Sequence, residues 1–269
     1  VVNFNNPTSG GIQTYFVPRA TNTYLPVTLN GEGSFGNSFR TDQNLGFTRD
    51  NWWGATPAID YSFRRAPGFF DVQTWAGNSV NGRQIPHNLA TTPELMLFKL
   101  RNLNDSWVVY HQAKGNQYYA KLDTTDAGWD NTPMFNSTSP TSTHLTVGTG
   151  YDINYSGGTY IGFFFATLPG ISKVGSYTGT GNDIDVDCGF TAGARFVILK
   201  RTDATGDWLF FDTVRGIVSG NETAFPMNWA NGFFNVDYID PLSTGFTITS
   251  SAPASMNASG GSYIFFAIA

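Results

Sequence analysis

Two stretches of this chain spell nearly the same phrase: SGGTYIGFFFA from Ser156 to Ala166, and SGGSYIFFAIA from Ser259 to Ala269. The likeness extends well beyond them. LMLFKLRNLNDSWVVYH (Leu95 to His111) lies over FVILKRTDATGDWLFFD (Phe196 to Asp212), which sets Lys99 on Lys200 and Trp107 on Trp208 at an offset of 101 (208 − 107). TSTHLTVG from Thr141 matches LSTGFTIT from Leu242 at the same offset. VQTWAGN from Val72 matches VGSYTGT from Val174 at 102 (174 − 72), and Gly157-Gly158 falls on Gly260-Gly261 at 103 (260 − 157). A drift of one or two residues is what loop insertions leave between equivalent strands. The chain is therefore a duplication, and its units are too few and too long for propeller blades.

A shorter echo precedes the first full copy. IDYSFRRAPGFFDV (Ile59 to Val72) lies over IGFFFATLPGISKV (Ile161 to Val174), so a closing strand and its Pro-Gly exit occur once before the complete units begin. The resulting division is an N-terminal arm or truncated repeat over 1–67, a first repeat over 68–170 and a second over 171–269. Within the first segment LGFTRD at Leu45 is the candidate counterpart of HLTVGT and GFTITS in the later copies. The missing initiator Met suggests a processed or partial N-terminus.

Each unit reads as antiparallel β. RFVILKR and WLFFDT are separated by TDATGD, a Gly/Asp turn that makes a hairpin, and RNLNDS stands in the same place in the other copy. The unbroken apolar runs LMLF and FVIL predict strands covered on both faces, whether inside a sandwich or at a subunit contact. FTITSSAP alternates and predicts one wet face. Helix signals are weak, and only ETAFPMNWA offers a turn or two, interrupted by Pro226. A chain that finishes on IFFAIA is expected to bury that end in a central or interface strand. The fold class is all-β: tandem antiparallel β-sandwich units, jelly-roll-like, with an extended N-terminal arm.

Composition excludes several partners. Charged residues make up 13% and aromatics 16%, and the formal charge is -5 with no Lys/Arg cluster larger than the pairs Arg64-Arg65 and Lys200-Arg201, which gives no footprint for nucleic acid or an anionic bilayer. The longest apolar run, Tyr160 to Leu168, is too short to span a membrane. A lone cysteine, Cys188, leaves no internal disulfide and no all-Cys metal site. No Walker or Gly-x-Ser-x-Gly motif occurs, and no cofactor is expected. His87, His111 and His144 map onto Cys188, Asp212 and Gly245, so no histidine chemistry is shared by the repeats.

Several residues invite a contact role. Trp52-Trp53 in RDNWWGATP sit among turn residues, where aromatic faces can stack on sugar rings or bury at an interface. DAGWDNTPMFNSTSPTST and NETAFPMNWANGFFN supply Trp129, Asn131, Phe135, Trp229, Asn231 and Phe233 as further glycan or interface contacts. Asp183, Asp185 and Asp187 alternate in NDIDVDCG, so on a strand they share a face. They form a weak metal candidate, because Cys188 stands where a calcium loop needs Gly. The bland alternative is a charged edge that discourages pairing. Trp107 and Trp208, equivalent and next to a turn, are expected in the core.

FRRAPGFFDV, ATLPGISKVGSYTG, CGFTAGARFVILKRTDATGDW, DTVRGIVSGN and YIDPLSTGFTITSSAPASMNASGGSYIFFAIA resemble a family of repeat domains in virion proteins of tailed bacteriophages, notably phages of aquatic bacteria including cyanobacteria. The resemblance runs from about Ile59 to the end and carries no catalytic residues. It implies a virion structural protein on the outer surface of the particle, self-associating, with a homotrimer preferred, and bound to other virion proteins. The leading expectation is a tail-fibre or receptor-binding head contacting host surface polysaccharide. The alternatives are a capsid decoration protein and, less favoured, a polysaccharide depolymerase, so the chain is expected not to be an enzyme.

Overall fold

The computed structural model describes residues 2–5, 14–16, 25–26, 39–40, 48–49, 58–130, 132–228 and 234–269. The N-terminal strands are β1 (Val2–Asn5), β2 (Thr14–Phe16), β3 (Leu25–Pro26), β4 (Phe39–Arg40), β5 (Thr48–Arg49) and β6 (Ala58–Tyr61). They form one sheet in the order β3-β2-β1-β6 and a separate β4-β5 pair. LGFTRD falls only partly, and Trp52-Trp53 wholly, outside the described residues.

The first repeat contains β7 (Phe70–Ala76), β8 (Arg83–Pro86), β9 (Leu95–Leu100), β10 (Val108–His111), β11 (Tyr118–Lys121), β12 (Trp129–Asp130), a helical turn α1 (Thr132–Phe135), β13 (His144–Val147), a second turn α2 (Tyr151–Asn154) and β14 (Thr159–Phe165). The second contains β15 (Ser172–Thr178), β16 (Ile184–Asp187), β17 (Phe196–Arg201), β18 (Leu209–Asp212), β19 (Glu222–Pro226), β20 (Phe234–Val236), β21 (Ile239–Leu242), β22 (Gly245–Ile248), α3 (Ala254–Asn257) and β23 (Ser262–Ile268). Their large sheets run β7-β14-β9-β10-β11-β12 and β15-β23-β17-β18-β19-β20, the same order strand for strand. Each has a small companion sheet, β13-β8 in one repeat and β16-β22-β21 in the other. All pairings between these strands are antiparallel.

The side-chain period of two explains the runs LMLF and FVIL. Leu95 and Leu97 of β9 point into one cluster while Met96, Phe98 and Leu100 point into another. In β17 Phe196 and Ile198 point one way, Val197 and Leu199 the other. The first-named side chains of both strands belong to the same cluster, which also takes Phe163, Phe165, Phe210, Ile264 and Phe266. The two large sheets therefore pack face to face, each covered on its far side by its own small sheet. The rings of Phe165 and Phe266 meet across this shared core at 4.9 Å. Leu25, Tyr61 and Phe63 from the N-terminal segment pack against it, Tyr61 lying 5.1 Å from Phe196 and 5.5 Å from Phe210.

β23 lies between β15 and β17, so the chain closes on a strand buried inside a sheet. Trp107 and Trp208 are both buried in the shared cluster, and the Trp208 indole N–H donates to the Lys121 carbonyl of the first repeat at 2.8 Å. ETAFPMNWA departs from expectation: Glu222–Pro226 is strand β19, laddered to β18 and β20, and the helical turns lie elsewhere. Its Thr and Phe suit a pleated, buried strand, and Pro226 stands at the strand's end, where a proline can be tolerated.

The repeated phrase has a structural purpose. Tyr160 and Tyr263 donate their hydroxyls to the carbonyls of Tyr151 (2.6 Å) and Ala254 (2.7 Å), and accept the N–H of Tyr155 and of Ala258, each at 2.8 Å. Each tyrosine thus ties down the helical turn before its own strand. The paired glycines make room: Gly157 and Gly260 have φ of +98° and +77°, and a Cβ on Gly158 or Gly261 would sit 2.5 or 2.7 Å from that hydroxyl. Asn154 and Asn257, buried at the ends of α2 and α3, complete the device by bonding the carbonyls of Gly148 (2.8 Å) and Thr249 (3.0 Å).

Candidate functional site

The outward face of the first repeat's large sheet gathers polar and aromatic side chains. On β11, Tyr118 turns into the shared core, so Tyr119 and Lys121 turn the other way. Trp129 of β12 stands directly across the ladder from Tyr119, and the two rings stack at 5.4 Å. Trp129 keeps 37% of its surface exposed. The Lys121 ammonium lies 5.6 Å from its ring centre, a cation over an aromatic face.

Lys121 also acts on Asp105, whose proton affinity it lowers. Asp105 sits in the β9–β10 turn, where Oδ1 accepts the Ser106 N–H at 2.8 Å and the main-chain carbonyl accepts the ammonium of buried Lys99. Its Oδ2 is buried, and Asp152, the second residue of α2, is its acidic neighbour. Burial first, then the hydrogen bond and like charge of Asp152, push the Asp105 carboxyl up to about 7. Burial and a like charge beside it both favour the protonated form of a carboxyl group. Tyr151 and Tyr155, which flank Asp152 in the sequence, set their rings 4.9 Å apart and are 46% and 42% exposed. The turn that carries them is clamped by Tyr160 and Asn154, so the aromatic faces are held before any ligand arrives.

Chemically, this surface offers flat apolar faces, hydrogen-bond acceptors and one ammonium, a set suited to a neutral polyhydroxylated ligand.

Of the residues singled out from the sequence, Trp129 lies on this surface. Phe135 does not: it is 0% exposed, packed 5.3 Å from Tyr110 and 6.0 Å from Phe98, because α1 lays its last residue on the large sheet. Trp52, Trp53, Asn131, Trp229, Asn231 and Phe233 lie outside the described residues. Asp183, Asp185 and Asp187 each accept a local hydrogen bond, from the Ser250 N–H (2.6 Å), the Thr247 hydroxyl (2.7 Å) and the Gly189 N–H (2.8 Å). No group of three or more metal-ligating side chains occurs among the described residues. His111 is buried, its pKa held down to about 4 by desolvation, and its Nδ1 accepts the Ala113 N–H just as Asp212 accepts that of Val214.

Sequence reasoning missed Tyr119, Lys121, Asp105, Asp152, Tyr151 and Tyr155. One signal was present. YDINY falls on ASMNA at the offset of 103, so the first repeat keeps two tyrosines and an aspartate where the second has alanines and a serine. Neither the shared core nor the turn needs those side chains.

Fold and surface together define a tandem-repeat β-sandwich protein with a pre-set aromatic and carboxyl surface on one repeat. The chain belongs to the family described as a domain of unknown function, DUF7483, whose model matches residues 59–269. The match opens at Ile59, where the internal echo opens, and takes both repeats together. No curated protein and no solved structure matches the chain.

Proposed function

We propose that this chain is a non-catalytic virion protein of a tailed bacteriophage, on the outer surface of the particle, that holds host surface polysaccharide on its first repeat. The observation that carries the reading is the pre-set run Trp129, Lys121, Asp105, Asp152, with Tyr151 and Tyr155 beside it. The phage assignment rests on the sequence resemblance stated above. Sugar rings stack their C–H faces on Trp and Tyr, and carboxyl oxygens accept hydrogen bonds from hydroxyls. Low charge and a turn-rich β framework suit a part exposed outside the cell.

The test is retention of bacterial surface polysaccharides by the full chain, measured on an array and then by calorimetric titration. Trp129→Ala, and separately Tyr151→Ala with Tyr155→Ala, are expected to weaken binding at least tenfold, about 1.4 kcal/mol, without shortening the polysaccharide. Absence of retention by the parent chain, or equal retention by every variant, would overturn the reading.

A further inference from the structure

The two repeats treat the same sheet edge differently. β7 and β15 are the equivalent edge strands of the large sheets. In the first repeat Arg65, ion-paired to Asp71 at 3.0 Å, donates to the outward carbonyl of Val72, and Arg83 donates to that of Ala76. The chain thus covers its own edge. By register the counterparts of Arg65 and Arg83 are Thr167 and Ile184, neither of which carries a guanidinium.

In β15 the odd-numbered residues face β23, and the even-numbered ones face outward. The Val174 N–H is taken by the Thr167 hydroxyl at 3.1 Å. The Val174 carbonyl, and the N–H and carbonyl of both Ser176 and Thr178, have no partner among the described residues. Beside them runs a groove of about 330 Å³, walled by Lys173 to Tyr177 and by Asp185 to Asp187, with Phe265 in its lining. An edge left open in this way is a template for another strand.

We propose that β15 pairs antiparallel with β15 of a second copy of this chain, across a two-fold axis at Ser176. The free groups select this register. Each Ser176 N–H donates to the other copy's Ser176 carbonyl, and each Thr178 N–H donates to the other's Val174 carbonyl. The Val174 N–H, already bonded to Thr167, is the donor that this register can do without. Charge agrees with the same alignment. Lys173 stands at one end of β15, and the short 179–183 connection sets Asp183 and Asp185 beside the other end. Each of these carboxylates uses Oδ1 within the chain and keeps Oδ2 for a cation. Antiparallel pairing brings each Lys173 to the other copy's Asp183 and Asp185, twice by symmetry, as an isologous interface requires. The same carboxylates discourage the neighbouring β16 edge from pairing with its own kind.

This interface lies in the second repeat and is independent of the glycan surface. Sedimentation equilibrium of the full chain is expected to give a two-copy species. Ser176→Pro removes the central donor, whose N–H faces outward, so the β15–β23 ladder keeps its bonds. That variant is expected to raise the dissociation constant at least tenfold. Ser176→Cys is expected to cross-link two copies under oxidation, since a hydrogen-bonded antiparallel pair sets its Cα atoms about 5.5 Å apart, within disulfide reach. Thr178→Cys, which faces Val174, is expected not to cross-link, and native Cys188 is buried. A monomeric or trimeric parent chain, a Ser176→Pro dimer of undiminished strength, or equal cross-linking by both cysteine variants would overturn the proposal.

Discussion

Trp208 shows how much one side chain carries. It fills the shared core, and its indole N–H bonds a carbonyl of the other repeat, so its loss is felt on both sides. Truncation of Trp107 or Trp208 to Ala is expected to destabilise the chain by about 3 to 5 kcal/mol each, read as the shift in a denaturant midpoint. Changes near zero for both would contradict their place in the core. Lys200 joins the same contact: its buried ammonium donates to the Gly206 carbonyl at 2.8 Å and to Thr125 of the first repeat at 3.0 Å, and burial holds its pKa down to about 8. Asp105 sets a pH dependence. Its folded pKa of about 7 lies above the ordinary 3.8, so the folded chain binds the extra proton and stability falls as pH rises from about 4 to about 7. Asp152→Asn removes the like charge and supplies a donor. It is expected to gain about 1 kcal/mol over the parent at pH 8, after discounting for the half-buried position, and little at pH 4. An equal gain at both pH values would exclude the raised Asp105 pKa as its cause.

At the scale of elements, the tyrosine that fastens each helical turn is the recurring device. Tyr160→Phe and Tyr263→Phe each leave a carbonyl and an N–H without their partner, at an expected cost of about 1 to 2 kcal/mol by thermal melting. Losses below a few tenths would show that the hydroxyls are replaceable. Most strands were legible in the sequence, because the period of two and the Gly/Asp turns leave little freedom in segments such as FVILKR–TDATGD–WLFFD. The cover on LMLF and FVIL was legible only as a need, since a strand pattern says that a face is buried and not by what. β19 was misread because a Pro in a polar run looks like an interrupted helix until the ladder to β18 is known. The contact surface was largely hidden. Asp105, Lys121 and Asp152 come from a turn, a strand and a helical turn, and only the folded sheet brings them together. Trp129 was singled out because an aromatic in a turn-rich segment is conspicuous, and the same rule selected Phe135, which is buried.

For the whole molecule, duplication has produced one body. Each large sheet lends one face to its own small sheet and the other to its sibling, and neither repeat can bury its Phe-rich inner face alone. The repeats have diverged at the periphery, where the first carries the aromatic and carboxyl surface and closes its edge with arginines. The second keeps a plain turn and an open edge. A shared core predicts that the repeats unfold together. Scanning calorimetry of the chain and of Trp208→Ala tests this most directly. The account predicts a single transition in both, with calorimetric and van't Hoff enthalpies in agreement and the whole transition moved down in the variant. Two resolved transitions, with only the second moved by Trp208→Ala, would contradict it.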